Sequence, residues 1–304
     1  MLDFLREEGI SEHLISEIED FRKSNQIDSE TQYRIPNPKF DYYGKEIWEE
    51  AISALLCGDN LLLVGPKATG KNVLAENLAS AFGRPSWDIS FHVNTDSASL
   101  IGADTFRDGQ VVLRRGPIFE CAVRGGFGIL DEINMAKNES IAVLHATLDY
   151  RRIIDVPGYD KIFMNDATRF IATMNYGYAG TRELNEALAS RFMVIEMPVI
   201  STENLNKLLR REFPEMKEGY LGQFAELFQD IQKKSASSEI STKPVDLRGL
   251  LASIHLMKKG LNAFHALQMG ITNKIFDGFE RQIVEDIIRL RIPEDLESSE
   301  FFAG

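Results

Sequence analysis

The chain has 304 residues, 44% of them apolar and 26% charged, with a formal net charge of −12. That length is enough for one large domain or two with a buried core, and the composition excludes wholesale disorder. The acidic excess repels phosphate backbones, so nucleic acid is an unlikely partner. The two cysteines, Cys57 and Cys121, belong to no close Cys or His pair; zinc is not expected, and both read as reduced, buried thiols. No apolar run reaches the roughly eighteen residues of a membrane span. The opening Met1-Leu2-Asp3-Phe4-Leu5-Arg6-Glu7-Glu8 lacks the basic-then-apolar order of a signal peptide. A cytoplasmic location, with no membrane partner, is the expectation.

In chain order, Leu5, Ile10, Leu14, Ile15, Ile18 and Phe21 recur at helical spacing, so residues 1–35 read as a separate helical extension. Ile35-Pro36-Asn37-Pro38 breaks any helix and marks its end. The following region, 36–199, alternates. Helices are predicted over Glu46–Leu56, Lys71–Phe82, Glu139–Tyr150 and Asn185–Arg191. Strands are predicted over Asn60–Gly65, Trp87–Phe91, Phe127–Leu130, Arg169–Met174 and Met193–Met197. Five strands with helical crossovers define an α/β domain with a five-stranded parallel sheet covered on both faces.

Two stretches interrupt the alternation and read as β-hairpin inserts. The first, Gly102 to Pro117, turns at Asp108-Gly109. The second, Arg152 to Thr168, pairs Ile153-Ile154-Asp155-Val156 with Lys161-Ile162-Phe163-Met164 around Pro157-Gly158. Strand signals stop after Pro198. Residues 200–292 read as an all-helical domain, with helices over Asn204–Phe213, Tyr220–Lys233, Leu247–Lys259, Ala263–Gly270 and Phe279–Leu290. Residues 293–304 form a tail without pattern.

The strongest chemical signal is Gly65-Pro66-Lys67-Ala68-Thr69-Gly70-Lys71, which follows an apolar strand and opens an amphipathic helix. Its glycines let the backbone wrap a phosphate, while amides and the helix N-terminus supply positive potential. Lys71 reaches the outer phosphates as a point charge. The next residue is Asn72, where a Ser or Thr hydroxyl normally ligates Mg2+. Its amide oxygen is a neutral hard ligand that can substitute directly, coordinate less well, or act through water. Nucleotide binding therefore stands on firmer ground than hydrolysis.

The second signal, Phe127-Gly128-Ile129-Leu130-Asp131-Glu132, is an apolar strand ending in two acids. Asp131 would hold the Mg2+ shell and Glu132 would polarise the attacking water. Alone the pattern is weak; about sixty residues after a P-loop it gains force. Asn175, ending the strand Phe170-Ile171-Ala172-Thr173-Met174, can orient water near a γ-phosphate, though by itself it reads as a turn residue. Arg191 and Arg248 are candidates to stabilise charge on a transferring phosphoryl group, in cis or from a neighbouring subunit.

Taken in order, these stretches resemble the MoxR-type branch of the AAA+ ATPases, close to the dynein-related group that includes McrB-like motors. The resemblance runs from about Tyr43 to Leu290. Tyr43-Gly44-Lys45, Gly116-Pro117-Ile118-Phe119, Asp131-Glu132-Ile133-Asn134-Met135-Ala136, Ala172-Thr173-Met174-Asn175 and Ser190-Arg191-Phe192 carry it. It implies that Tyr43 and Gly44 close over the adenine, that Asn175 is sensor 1, Arg191 a trans-acting arginine finger, and Arg248 the sensor 2 arginine of a helical lid. It also implies Mg2+ and ATP as cofactors and a homo-oligomer, a hexameric ring, with the hairpins facing its pore or surface. Two departures stand out: Asn72, and a P-loop with Pro66-Lys67-Ala68-Thr69 in place of a glycine-richer run.

Members of this branch remodel or mature client proteins, commonly beside a partner with a von Willebrand factor A domain. The expected function is thus a remodelling ATPase. A nucleotide-gated scaffold with weak hydrolysis, supported by Asn72, is the alternative. A McrB-like motor on a DNA-cleaving assembly ranks last, because it needs GTP preference or a basic DNA-binding domain.

Overall fold

The computed structural model describes residues 1–156, 158–176, 183–294, 296 and 298–302. The chain divides into two compact units. One comprises Met1–Pro66 and Gly70–Pro198; the other comprises Lys67–Thr69 and Val199–Gly304.

The first unit opens with α1 (Leu2–Glu7), α2 (Glu12–Ser24) and a 3₁₀ turn, Gln32–Arg34. There follow α3 (Lys45–Cys57), β1 (Leu61–Gly65), α4 (Lys71–Ala81), β2 (Ser86–Ser90) and α5 (Ser97–Leu100). Next come the strands β3 (Gly102–Arg107) and β4 (Gln110–Arg115), then α6 (Pro117–Arg124) and β5 (Phe127–Asp131). The remainder is α7 (Asn138–Ile141), α8 (Leu144–Thr147), β6 (Ile153–Ile154), β7 (Ile162–Phe163), β8 (Arg169–Asn175), α9 (Glu186–Ala189) and β9 (Met193–Glu196).

All five strands of the main sheet are parallel, in the order β2-β5-β8-β1-β9. Successive residues of each strand point to opposite faces. Leu61, Leu63, Phe127, Ile129, Ile171 and Ile195 therefore join one core, and Leu62, Leu130, Phe170 and Ala172 the other. The doubly covered α/β sheet read from the sequence is the observed one.

The first 35 residues do not stand apart, contrary to the expectation. Phe4, Leu5, Ile10, Ile15 and Ile18 are buried in the same cluster as Trp48, Leu55, Leu74, Leu78 and Phe82. Helices of six and thirteen residues are too short to persist in water unaided, so their apolar stripe needs this surface. At the far end of α4, Arg22 Nε and a terminal nitrogen donate to the carbonyls of Ala81 and Ser80, each at 2.9 Å. Phe21 meets Phe82 edge-on at 5.2 Å. A cation on the terminal carbonyls of a helix is the favourable sense of the helix dipole.

The first hairpin pairs β3 with β4 around Asp108 and Gly109, both at positive φ (51° and 80°), as a two-residue turn requires. The second is reduced to two pairs, Ile153 with Phe163 and Ile154 with Ile162. Pro157 of its expected turn lies outside the described residues. The continuous helix predicted over Glu139–Tyr150 is two single turns, α7 and α8, because Ala142 and Val143 leave the helical ladder between them. The prediction missed α6: Pro117, taken as the end of the first hairpin, stands in the first turn of the helix, where its missing N–H costs nothing. Of the two thiols, Cys121 is buried, and burial pushes it above the ordinary cysteine range. Cys57, expected buried, is exposed at the end of α3.

The second unit is helical: α10 (Thr202–Glu212), α11 (Glu218–Ala236), α12 (Leu247–Lys258), α13 (Ala263–Gly270), α14 (Gly278–Arg291) and α15 (Ser298–Phe301). Leu209, Phe213, Phe224, Phe228, Ile254, Leu267 and Ile288 are all buried. The patternless tail holds Phe301, fully buried, with its ring 4.6 Å from that of Tyr220. Among the described residues no helix is long and apolar enough to cross a membrane.

Candidate active site

Strand order builds the site. The chain leaves β1 for the far edge at β2, returns through β5 and β8, and then adds β9 on the other side of β1. The carboxyl ends of β1 and its neighbours thus border the point where the winding reverses, where open α/β sheets bind ligands. Register completes the placement: Gly65 lies opposite Asn175, and Leu130 opposite Ala172, so Asp131 emerges beside them.

Gly65 to Asn72 makes the turn from β1 into α4. Two residues bend it through the left-handed region, Ala68 (φ 61°) and Gly70 (φ 82°). At Gly70 a side chain is barred twice over, by its φ and by the ring of Tyr42, which lies 3.0 Å from where a Cβ would stand. Ala68 takes the same conformation with a Cβ, at a cost of about 1–2 kcal/mol.

Lys71 is buried and folds back onto the turn, donating from Nζ to the carbonyls of Gly65 (2.9 Å) and Pro66 (2.7 Å). Burial lowers its pKa from the usual lysine value to about 8, although the nearby Asp131 and Glu132 pull the other way. An ammonium held partly desolvated is poised for a stronger anion than a carbonyl.

The acid pair has a built support. Thr173, buried on β8, donates from its hydroxyl to Asp131 Oδ1 at 2.6 Å and accepts the Glu132 backbone N–H at 3.1 Å. Glu132 stands in the left-handed region (φ 54°, ψ 46°), which costs a residue with a Cβ about 1 kcal/mol or more. Asn175 donates from Nδ2 to Glu132 Oε1 at 3.1 Å. The carbonyl of Asn175 is in turn held by Asn134 Nδ2 at 3.1 Å. Sequence reasoning missed Thr173, Asn134 and Tyr42. Thr173 and Asn134 lay within quoted stretches, but nothing local marks a residue whose partner is some forty positions away.

The structure thus brings together Gly65, Pro66, Lys71, Asp131, Glu132 and Asn175. Asn72 follows in the first turn of α4, partly buried. Ala68 lies at the bend; Lys67 is exposed and Thr69 buried. Tyr43 and Gly44 belong to the segment before α3. Tyr43 packs edge-on against Phe4 at 5.4 Å, and Gly44 N–H donates to Glu8 Oε1 at 3.2 Å. It is Tyr42, not Tyr43, whose ring lies against Gly70. Arg191 is engaged elsewhere: Nε donates to the His145 carbonyl at 3.1 Å, a terminal nitrogen to that of Ala187, and the guanidinium pairs with Asp149 at 3.5 Å. Arg248 is exposed on the first turn of α12, in the second unit.

The donor set fits a Mg2+-nucleotide. Among the described residues no cluster of three or more His, Cys, Asp or Glu forms a metal cage. Mg2+ needs none, since it is usually held by one or two protein oxygens together with substrate phosphates and water. Asp131 and Asn72 offer such oxygens. The turn's amides and Lys71 suit the phosphates.

Fold and site define a P-loop α/β domain of the AAA class. Residues 60–192 match the AAA domain of the dynein-related subfamily. The chain is 32% identical over 270 residues to the uncharacterized protein YojN of Bacillus subtilis (strain 168), covering 87% of this chain and 88% of that one. An uncharacterized protein of Staphylococcus saprophyticus is 30% identical over 256 residues, covering 80% and 95% of the two chains. Another, of Staphylococcus haemolyticus, is 29% identical over 253 residues, covering 81% and 95%. The chain belongs to the family of these relatives and carries an AAA domain.

Proposed function

We propose that the protein is a MoxR-like AAA+ ATPase that binds and hydrolyses Mg-ATP at subunit interfaces of a ring oligomer, a hexamer, and uses the turnover to remodel or mature a client protein. The observation that carries the reading is the hydrogen bond from Asn175 to Glu132, with Asp131 and Lys71 alongside. A passive nucleotide binder needs the phosphate turn alone. A carboxylate held in a strained backbone conformation beside it suits a general base for attack on the γ-phosphate.

In this reading Lys71 and the turn's amides bind the β- and γ-phosphates, where a bound Mg2+ would supply charge neutralisation. Asp131 and Asn72 hold the cation. Glu132 takes the proton of the attacking water, and Asn175 keeps its carboxylate oriented. Arg191 acts on nucleotide held by the adjacent subunit and Arg248 closes from the helical lid. Tyr43 and Gly44 border the base. The ATPase works in the cytoplasm beside a partner that carries a von Willebrand factor A domain.

The test is ATP hydrolysis measured against protein concentration, with Glu132→Gln as the blank. Specific activity that climbs with concentration supports shared interfacial sites. Bound ATP with no turnover above the blank, alone and with a partner present, refutes the hydrolase. That outcome would favour a nucleotide-gated scaffold, for which Asn72 in place of a hydroxyl is the specific support.

A further inference from the structure

Thr173 touches both acids of the site. Its side chain is buried, 1% exposed, on the central strand β8. A hydroxyl has one proton to give and lone pairs to receive. Asp131 as a carboxylate has no proton, so the hydroxyl donates to Oδ1 (2.6 Å); the Glu132 amide can only donate, so the hydroxyl accepts it (3.1 Å). The directions are therefore fixed, running from amide to hydroxyl to carboxylate, and a chain of this polarity strengthens each of its bonds.

The two contacts act on different things. The first holds the rotamer of the side chain that would ligate Mg2+. The second anchors the amide of a residue in left-handed backbone conformation, the bend that turns Glu132 toward Asn175 Nδ2. Asn134 closes the far side by holding the Asn175 carbonyl.

We infer that Thr173 is a positioning residue for phosphoryl transfer, whose single hydroxyl sets the cation-ligating and water-activating carboxylates relative to each other. The inference rests on the hydrolase reading above and adds to it a residue that acts through its hydrogen bonds to the two acids.

Thr173→Val keeps shape and volume and removes the hydroxyl; Thr173→Ser keeps the hydroxyl. The readouts are ATP turnover, KM for ATP, the Mg2+ concentration for half-maximal rate, and Mn2+ affinity of the ATP-bound protein followed by electron paramagnetic resonance. Loss of a hydrogen bond to a charged group predicts a kcat for Thr173→Val about ten- to hundredfold below wild type. Mg2+ half-saturation should rise several-fold, KM for ATP should change by less than about threefold, and serine should restore kcat to within about threefold of wild type. Wild-type kcat and Mg2+ dependence in Thr173→Val overturn the inference, as does a serine variant as impaired as valine. If the valine protein does not fold, Thr173→Ala takes its place against serine with the same readouts. A wild type without turnover refutes the hydrolase reading by itself. The Mn2+ arm then decides the present inference: weaker Mn2+ binding in the variant upholds the hydroxyl's hold on Asp131, and unchanged binding overturns it.

Discussion

The pKa of Lys71 makes nucleotide binding a proton-linked event. In the structure its ammonium is buried with two carbonyls as acceptors, and its pKa falls from 10.5 to about 8. The shift corresponds to about 3 kcal/mol of differential interaction. Because the folded-state value lies below the unfolded one, the charged lysine opposes folding. That penalty is fully present below pH of about 8 and is relieved as pH rises toward the unfolded value. Bound phosphates reverse the situation by surrounding the ammonium with negative charge, which returns its pKa toward or above the ordinary value. The free protein loses this proton near pH 8 and the complex keeps it. Affinity for Mg-ATP should therefore weaken about tenfold between pH 7 and 9, and binding near pH 8.5 should take up ~0.7 proton. The ligand contributes little there, since a terminal phosphate ionises near pH 6, and Tyr42, lifted to about 12 by burial, does not titrate in this window. Isothermal titration calorimetry in buffers of different ionisation enthalpy measures the uptake directly. Lys71→Arg keeps a permanent charge, so whatever binding it retains should show no uptake. Affinity that is flat across this range with no proton exchange in wild type would refute both the shift and the phosphate-facing role of Lys71.

Three further outcomes are expected. Asn72→Thr places a hydroxyl where Mg2+ is normally ligated and should raise turnover or lower the Mg2+ requirement by a few-fold; lower turnover with a higher Mg2+ requirement would mean that the amide oxygen is the better ligand in this turn. Arg191→Ala should bind ATP normally yet lose hydrolysis in the assembled protein, and mixing it with Glu132→Gln subunits should recover activity at shared interfaces; absence of recovery at every ratio counts against a trans role. Arg22→Ala removes two hydrogen bonds from a charged group to the end of α4 and should cost about 2–3 kcal/mol. By hydrogen exchange, α2 and the last turn of α4 should lose protection together, and loss confined to α2 would show the clasp to be superficial.

What was legible in the sequence is what local pattern encodes. The run Leu61 to Gly65, the phosphate turn and the helix beyond it were readable because apolar continuity, glycine spacing and helical periodicity are short-range signals. The strand order was not, since nothing near Ser86–Ser90 announces that this strand pairs with Phe127–Asp131 instead of with Leu61–Gly65. The N-terminal helices show the same limit from another side. Their apolar stripe was recognised, but the stripe says nothing about which surface it covers, and residues 1–35 were set apart from a core that holds five of their side chains. Proline misled: Pro36 and Pro38 suggested a domain boundary where the core continues, and Pro117, taken as the end of a hairpin, opens a helix that was not predicted. Of the site, the groups proposed to meet ligand were readable in the sequence and those that support them were not. Tyr42 and Tyr43 are adjacent and chemically alike, and only the folded chain assigns one to Gly70 and the other to Phe4.

That division bears on whether Asn72 makes this a scaffold or a motor. In a P-loop the hydroxyl after the lysine and the strand-end acid share the cation, so a weaker ligand at the first position puts more demand on the second. Here the second is unusually well fixed: Asp131 is held by a buried hydroxyl at 2.6 Å, and that same hydroxyl fixes the amide of Glu132. A site relieved of hydrolysis would have no use for the left-handed backbone at Glu132 or for Asn175 as its partner, and strain of that kind persists only where the surroundings impose it. The arrangement favours the proposed hydrolase over the scaffold: in that reading the cation would be held mainly by Asp131, and Asn72→Thr measures how much residue 72 contributes.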